Sequence, residues 1–143
     1  MGSKLRTVSW VLLALVGVLV LLVSLISANV AYRGDFLVGG VSIAEIASGR
    51  EPVLIGLRGT RGTAAAWGAA WAALFLGAVL GPYRRGDVAT WWGILISLLA
   101  LSGVAGARVL FTGGQAGTGT PLVLLGVVIV ALLLDVKRLS APR

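Results

Sequence analysis

The sequence predicts an all-α integral membrane protein: a bundle of four transmembrane helices with a short interfacial helix in the first outer loop. Three observations predict it. Residues 7–32, 62–83, 88–107 and 109–134 carry no charged side chain, and each stretch is at least 20 residues long. At the helical rise of ~1.5 Å per residue, each can cross the ~30 Å hydrocarbon core of a bilayer. The composition is 58% hydrophobic and 12% charged, where a soluble domain carries about 25% charge. Glycine is abundant, with 21 residues. That is costly in a soluble helix but useful in lipid, where small residues let helix backbones approach. The 143 residues are read as a single transmembrane domain with spans at about 5–29, 60–81, 88–112 and 119–138.

Span 1 follows Lys4 and Arg6, the pattern of a secretion signal. Its apolar run exceeds the ~7–15 residues of a signal's central region, and Ile26 sits poorly before a cleavage point at Ala28. The expectation is a retained helix; a cleaved signal would leave three spans. Trp10 lies at headgroup depth. The Val- and Leu-rich body suits lipid, and Gly17, Ser24 and Ala28 mark a face toward another helix.

Residues 30–59 form the outer loop. Tyr32-Arg33-Gly34-Asp35 reads as a turn. Residues 41–48 read as a short helix with a capping box, in which the Ser42 hydroxyl bonds the third amide and Glu45 reaches back. Gly49 supplies the stop. A helix at the membrane surface and an irregular loop packed on the bundle both fit this segment. The Arg-Gly-Asp triplet at 33–35 carries no weight at its chance frequency.

Span 2 has a favourable start at Glu51-Pro52, so its helix extends before the membrane and carries Arg58 and Arg61 on one side. Ala64, Gly68 and Ala72 are spaced by four, as are Gly77 and Gly81. Such patterns mark close helix contact. Trp67 and Trp71 are also four apart and share a face. These features make span 2 the expected central helix. Residues 81–87 read as a basic turn rich in helix breakers, with Asp87 as N-cap of span 3. Span 3 offers Gly103 and Gly106 for packing and holds Arg108 near its far end. Residues 113–120 read as a flexible linker, and span 4 starts at Pro121 with Thr120 as cap. Spans 1 and 4 are expected to face lipid, spans 2 and 3 to build contacts.

Orientation follows the basic residues. With both termini cytoplasmic, that side holds Lys4, Arg6, Arg84, Arg85, Lys137, Arg138 and Arg143, against Arg33, Arg50, Arg58, Arg61 and Arg108 outside. The basic turn followed by Trp91-Trp92 resembles, in style, small bacterial membrane proteins, so a bacterial inner membrane is the expected location.

The absences bear on function. The chain has no Cys and no His, which excludes disulfides, thiolate or imidazole metal sites, His-ligated haem and His-based catalytic centres built from this chain alone. No cofactor or metal is expected. No Asp, Glu or Lys lies in the middle of a span, whereas proton-coupled transport requires such a group at depth. The net charge of +7 reflects flanking charge rather than a basic stripe, so nucleic acid is not an expected partner.

Arg108 is the sharpest single candidate. A guanidinium at that depth either snorkels or pairs with Asp35, Glu45 or Glu51, or holds a lipid phosphate or carboxylate together with Arg58 and Arg61. Trp67 and Trp71 either pack or stack on a hydrophobic ligand. The expected function is therefore non-catalytic: an accessory or assembly subunit of a larger membrane complex, with lipids and other subunits or further copies as partners. The alternative is a protein that binds or transports a lipid or hydrophobic ligand through its outer arginines. A lipid-directed enzyme using Asp35, Glu45, Glu51 and Arg108 is a third reading.

Overall fold

The structure, a computed structural model, describes residues 2–112 and 119–140. Helix α1 spans Gly2–Arg33, a hairpin of β1 (Leu37–Val38) and β2 (Val41–Ser42) follows, and then come α2 (Ile43–Ala47), α3 (Glu51–Ala78), α4 (Val88–Thr112) and α5 (Gly119–Leu134). A π-helical turn, Val79–Tyr83, extends α3, and a 3-10 turn, Val136–Ser140, follows α5.

Among the described residues, three helices are long and apolar enough to cross a membrane: Lys4–Arg33, Glu51–Tyr83 and Val88–Ala107. Leu122–Leu134 is a shorter apolar helix. Large apolar side chains remain exposed along α1, among them Leu15, Leu19, Leu22 and Ile26. Lipid solvates such a surface, and a helix satisfies its own backbone hydrogen bonds there.

α1 and α3 run longer than the spans expected, α4 matches residues 88–112, and α5 stops at Leu134, short of 138. α1 reaches Arg33, and α3 begins at Glu51 with Pro52 in its first turn. At its other end α3 passes through Pro82 instead of stopping at Gly81. Proline removes one backbone donor and crowds the preceding turn. The wider π turn absorbs both effects, and the Asp87 amide bonds back to the Pro82 carbonyl at 3.1 Å. The break shrinks to Gly86 and Asp87, with Gly86 at φ 105°. Asp87 does cap α4: its carboxylate accepts from the Thr90 amide at 2.8 Å and from the Thr90 hydroxyl.

The chain divides into two compact units, residues 1–17 with 75–143, and residues 18–74. In the first, Leu13, Phe75, Val79, Tyr83, Trp91, Leu98, Val128 and Leu132 are buried. One side of α5, with Val128, Ala131 and Leu132, is thus buried, and α5 packs on α4. This departs from a purely lipid-facing span 4; Leu133 and Val130 keep the other side exposed. The Trp91 indole donates to the Leu132 carbonyl at 3.2 Å, satisfying an acceptor in the last turn of α5. Gly17 belongs to this unit too. A methyl group placed there would stand 2.7 Å from Leu76 Cγ and Cδ2 and 3.1 Å from Phe75 Cδ1.

In the second unit, Ala31, Ile43, Ala47, Ala65 and Ala72 are buried. Ser24 meets Gly68, where an added Cβ would lie 2.6 Å from the hydroxyl oxygen. The hairpin is an element that the sequence pattern does not announce. Gly39 and Gly40 supply positive φ angles of 61° and 87°, which suit a two-residue turn matching the strand twist. Leu37 pairs with Ser42 and Val38 with Val41. The short helix is present as α2, with its cap rearranged. Ser42 accepts from the Ala44 amide at 3.1 Å and donates to the Asp35 carboxylate. The carboxylate paired with Ser42 is therefore that of Asp35, reached through the hydroxyl, and no bond from Glu45 back to the Ser42 amide is seen among the described residues. The left-handed stop begins one residue early, at Ser48 with φ 48°, before Gly49 at 77°.

Candidate functional site

Arg58 and Arg61 sit three residues apart on α3, one turn along a single face. Both side chains turn toward the segment that ends α1 and follows it. Arg58 donates through a terminal nitrogen to the Gly34 carbonyl at 3.4 Å, while its Nε is buried with no hydrogen-bond partner. Arg61 donates from Nε to the Ser27 hydroxyl at 3.3 Å, and its guanidinium carbon stands 4.3 Å over the Phe36 ring. Such a cation–π contact is worth about 0.5–2 kcal/mol, depending on desolvation. Among the described residues neither arginine has a carboxylate within 4.0 Å. Their partners are neutral and the bonds are long, so both guanidinium charges stay uncompensated at the end of an apolar span.

Asp35, which lies between the Gly34 and Phe36 contacts of the two arginines, is committed elsewhere. Asp35 accepts from the Ser42 hydroxyl, which holds its carboxyl below the ordinary value. Burial opposes that shift, and the backbone amides of Ala44, Phe36 and Ile43 add to it.

Arg108 belongs to the α4 backbone, and its side chain lies outside the described residues, as does the linker at 113–118. Trp67 is 74% exposed, whereas Trp71 is half-buried. Of the small residues named for packing, Ala72 is buried and Gly68 lies against Ser24. Ala64 is exposed, and a Cβ added at Gly81 would lie 3.8 Å from an Arg85 nitrogen. Among the described residues, Gly77, Gly103 and Gly106 have nothing beyond their own helix within 4 Å of the position a Cβ would take.

A second polar group, missed in the sequence, lies in the first unit. The Ser9 hydroxyl and the Tyr83 hydroxyl share a buried hydrogen bond of 2.7 Å. Arg6 donates to the Arg84 carbonyl at 2.6 Å, and the Arg84 guanidinium stands 4.9 Å from the Trp10 ring. The Arg6 bond satisfies a carbonyl at the end of the helical run. Its signal in the sequence is the coincidence of Arg6 and Trp10 at one helix end with Tyr83 and Arg84 at another. Among the span hydroxyls, Ser97 bonds its own backbone at Ile94, as expected within a helix, whereas Ser27 serves Arg61.

No known protein family, no curated protein and no solved structure matches this chain.

Proposed function

We propose that this chain is a non-catalytic accessory or assembly subunit of a larger membrane complex. The carrying observation is a set of glycines at which an added Cβ would meet nothing beyond its own helix among the described residues: Gly77 on α3, and Gly93, Gly103 and Gly106 on α4. In lipid, apolar area alone gives helices little reason to associate. Close backbone approach at small residues and interhelical hydrogen bonds supply the attraction. Glycines with open surroundings therefore suit contacts made with another subunit. The hydrogen bonds at Ser9, Tyr83, Arg6 and Trp91 join segments of the chain.

The topology that goes with this reading has four spans. α5, about 24 Å long by its 16 residues, is the fourth, and both termini are cytoplasmic in a bacterial inner membrane. α2 lies at the outer surface. Because the chain has no native cysteine, single cysteines at Gly40 and Lys137 test this by reagent accessibility. Labelling from opposite sides is expected, and labelling from the same side refutes the four-span arrangement. Blue native electrophoresis in mild detergent, with identification of co-migrating proteins, tests the role. Migration solely as a small monomer or dimer counts against it.

The arginine pair favours a second reading, the binding of a lipid or hydrophobic ligand. Two guanidiniums facing neutral partners at the end of a span favour an anionic group over a purely packed role.

A further inference from the structure

We propose that Arg58 and Arg61 form a binding site for a phosphate oxyanion, supplied by the headgroup of an anionic phospholipid. The inference rests on the ligand-binding reading just given and names its ligand. The Arg58 Nε is buried and has no acceptor. Among the described residues its hydrogen bond goes to a neutral carbonyl at 3.4 Å. Arg61 commits Nε to Ser27, and among the described residues no acceptor bonds its two terminal nitrogens. Removing charge from water without an opposite charge is costly, whereas a guanidinium fork matches the paired oxygens of a phosphate. Asp35 does not fill this need, because Ser42 and the backbone amides around α2 hold its carboxylate.

Depth selects a lipid as the source of the phosphate. Arg61 directly precedes the charge-free residues 62–83, and Ser27 lies within the last two turns of the charge-free residues 7–32. The pair therefore stands where hydrocarbon gives way to headgroups. Exposed apolar side chains, Ile26 and Tyr32, lie on the same end of α1 and offer a surface for acyl chains. Phe36 fixes the Arg61 guanidinium from one face, which lowers the entropy lost on binding.

Native mass spectrometry of the full chain, released from nanodiscs of mixed phosphatidylglycerol and phosphatidylcholine, tests the site. The wild type is expected to retain phosphatidylglycerol. Arg58→Gln and Arg61→Gln should each weaken retention by about fivefold, the effect of one basic charge near an anionic surface. Arg61→Lys keeps the charge and loses the fork, so it should fall between wild type and Arg61→Gln, with unchanged helicity by circular dichroism. An added arm with inorganic phosphate separates the sources. Displacement of lipid only at concentrations far above that of the lipid supports the headgroup, and equal competition overturns it in favour of a free anion. Equal phosphatidylglycerol retention by wild type and both glutamine variants overturns the phosphate site. If an uncharged lipid or other ligand is retained in that case, the broader ligand-binding reading survives; if nothing is retained, both fail.

Discussion

Replacing Gly17 with valine should destabilise the first unit through one identifiable collision. A Cβ at residue 17 would lie 2.7 Å from both Leu76 Cγ and Cδ2. Carbon atoms prefer a separation of about 3.5–4.0 Å, so the overlap is roughly 1 Å. Rotation of the Leu76 end group does not relieve it, because Cγ is the branch point itself, and Phe75 Cδ1 at 3.1 Å closes the other direction. Overpacking of this kind costs about 1–3 kcal/mol. Valine's better helix propensity than glycine returns only a fraction of about 1 kcal/mol. A net loss of ~2 kcal/mol is expected, or a factor of roughly 30 in the unfolding equilibrium. Gly93→Val is the matched control, since among the described residues nothing beyond its own helix lies within 4 Å of that Cβ position. Unfolding in mixed detergent micelles titrated with dodecyl sulfate, followed by far-ultraviolet circular dichroism, measures both variants. Leu76→Ala in the Gly17→Val background should recover part of the loss. Equal destabilisation by Gly17→Val and Gly93→Val, or no recovery with Leu76→Ala, would refute the packing argument.

Tyr83→Phe leaves the buried Ser9 hydroxyl without the partner it has at 2.7 Å and should cost about 1–3 kcal/mol, while Ser9→Ala with Tyr83→Phe should cost less than the sum of the single changes in the same titration. Asp35 has a lowered pKa in the folded chain, so its contribution to hairpin stability is present above its ordinary value and is lost as pH falls through the folded value. Carboxyl-carbon nuclear magnetic resonance should show a midpoint below that ordinary value, shifted upward by Ser42→Ala; an unshifted midpoint in Ser42→Ala removes Ser42 as the main cause.

The long helices were legible because lipid leaves a chain few choices. Charge-free runs of this length become helices, since no other local structure satisfies every backbone group in hydrocarbon. Ser42, Asp87 and Pro52 were readable for a related reason: caps and first-turn residues act within a few positions of themselves. Arg58 and Arg61 could be named from their place beside an apolar span. Their contacts with Gly34, Ser27 and Phe36 could not, because those partners lie 24 to 34 positions away and meet the arginines only after the chain has folded back. The Gly-Gly hairpin escaped because strands of two residues carry no alternation to read.

Local chemistry along the chain was enough to set the apolar helices, the exclusion of Cys- and His-based chemistry, and the starts of α3 and α4 at Glu51 and Val88, whereas α5 begins at Gly119, ahead of the expected Thr120 cap and Pro121. Which small residues have neighbours came from tertiary packing alone. Gly17, Gly62 and Gly68 would each place a Cβ within 2.8 Å of another side chain, whereas Gly77, Gly103 and Gly106 would meet nothing beyond their own helix among the described residues. Spacing by three or four fixes which residues share a face, but the rotation of that face toward a partner depends on every other contact in the bundle. Packing also carries α3 past Pro82 as a π turn, where the Tyr83 hydroxyl pairs with Ser9. A proline marks where a helix is strained, and only the contacts on either side determine whether it breaks there or widens.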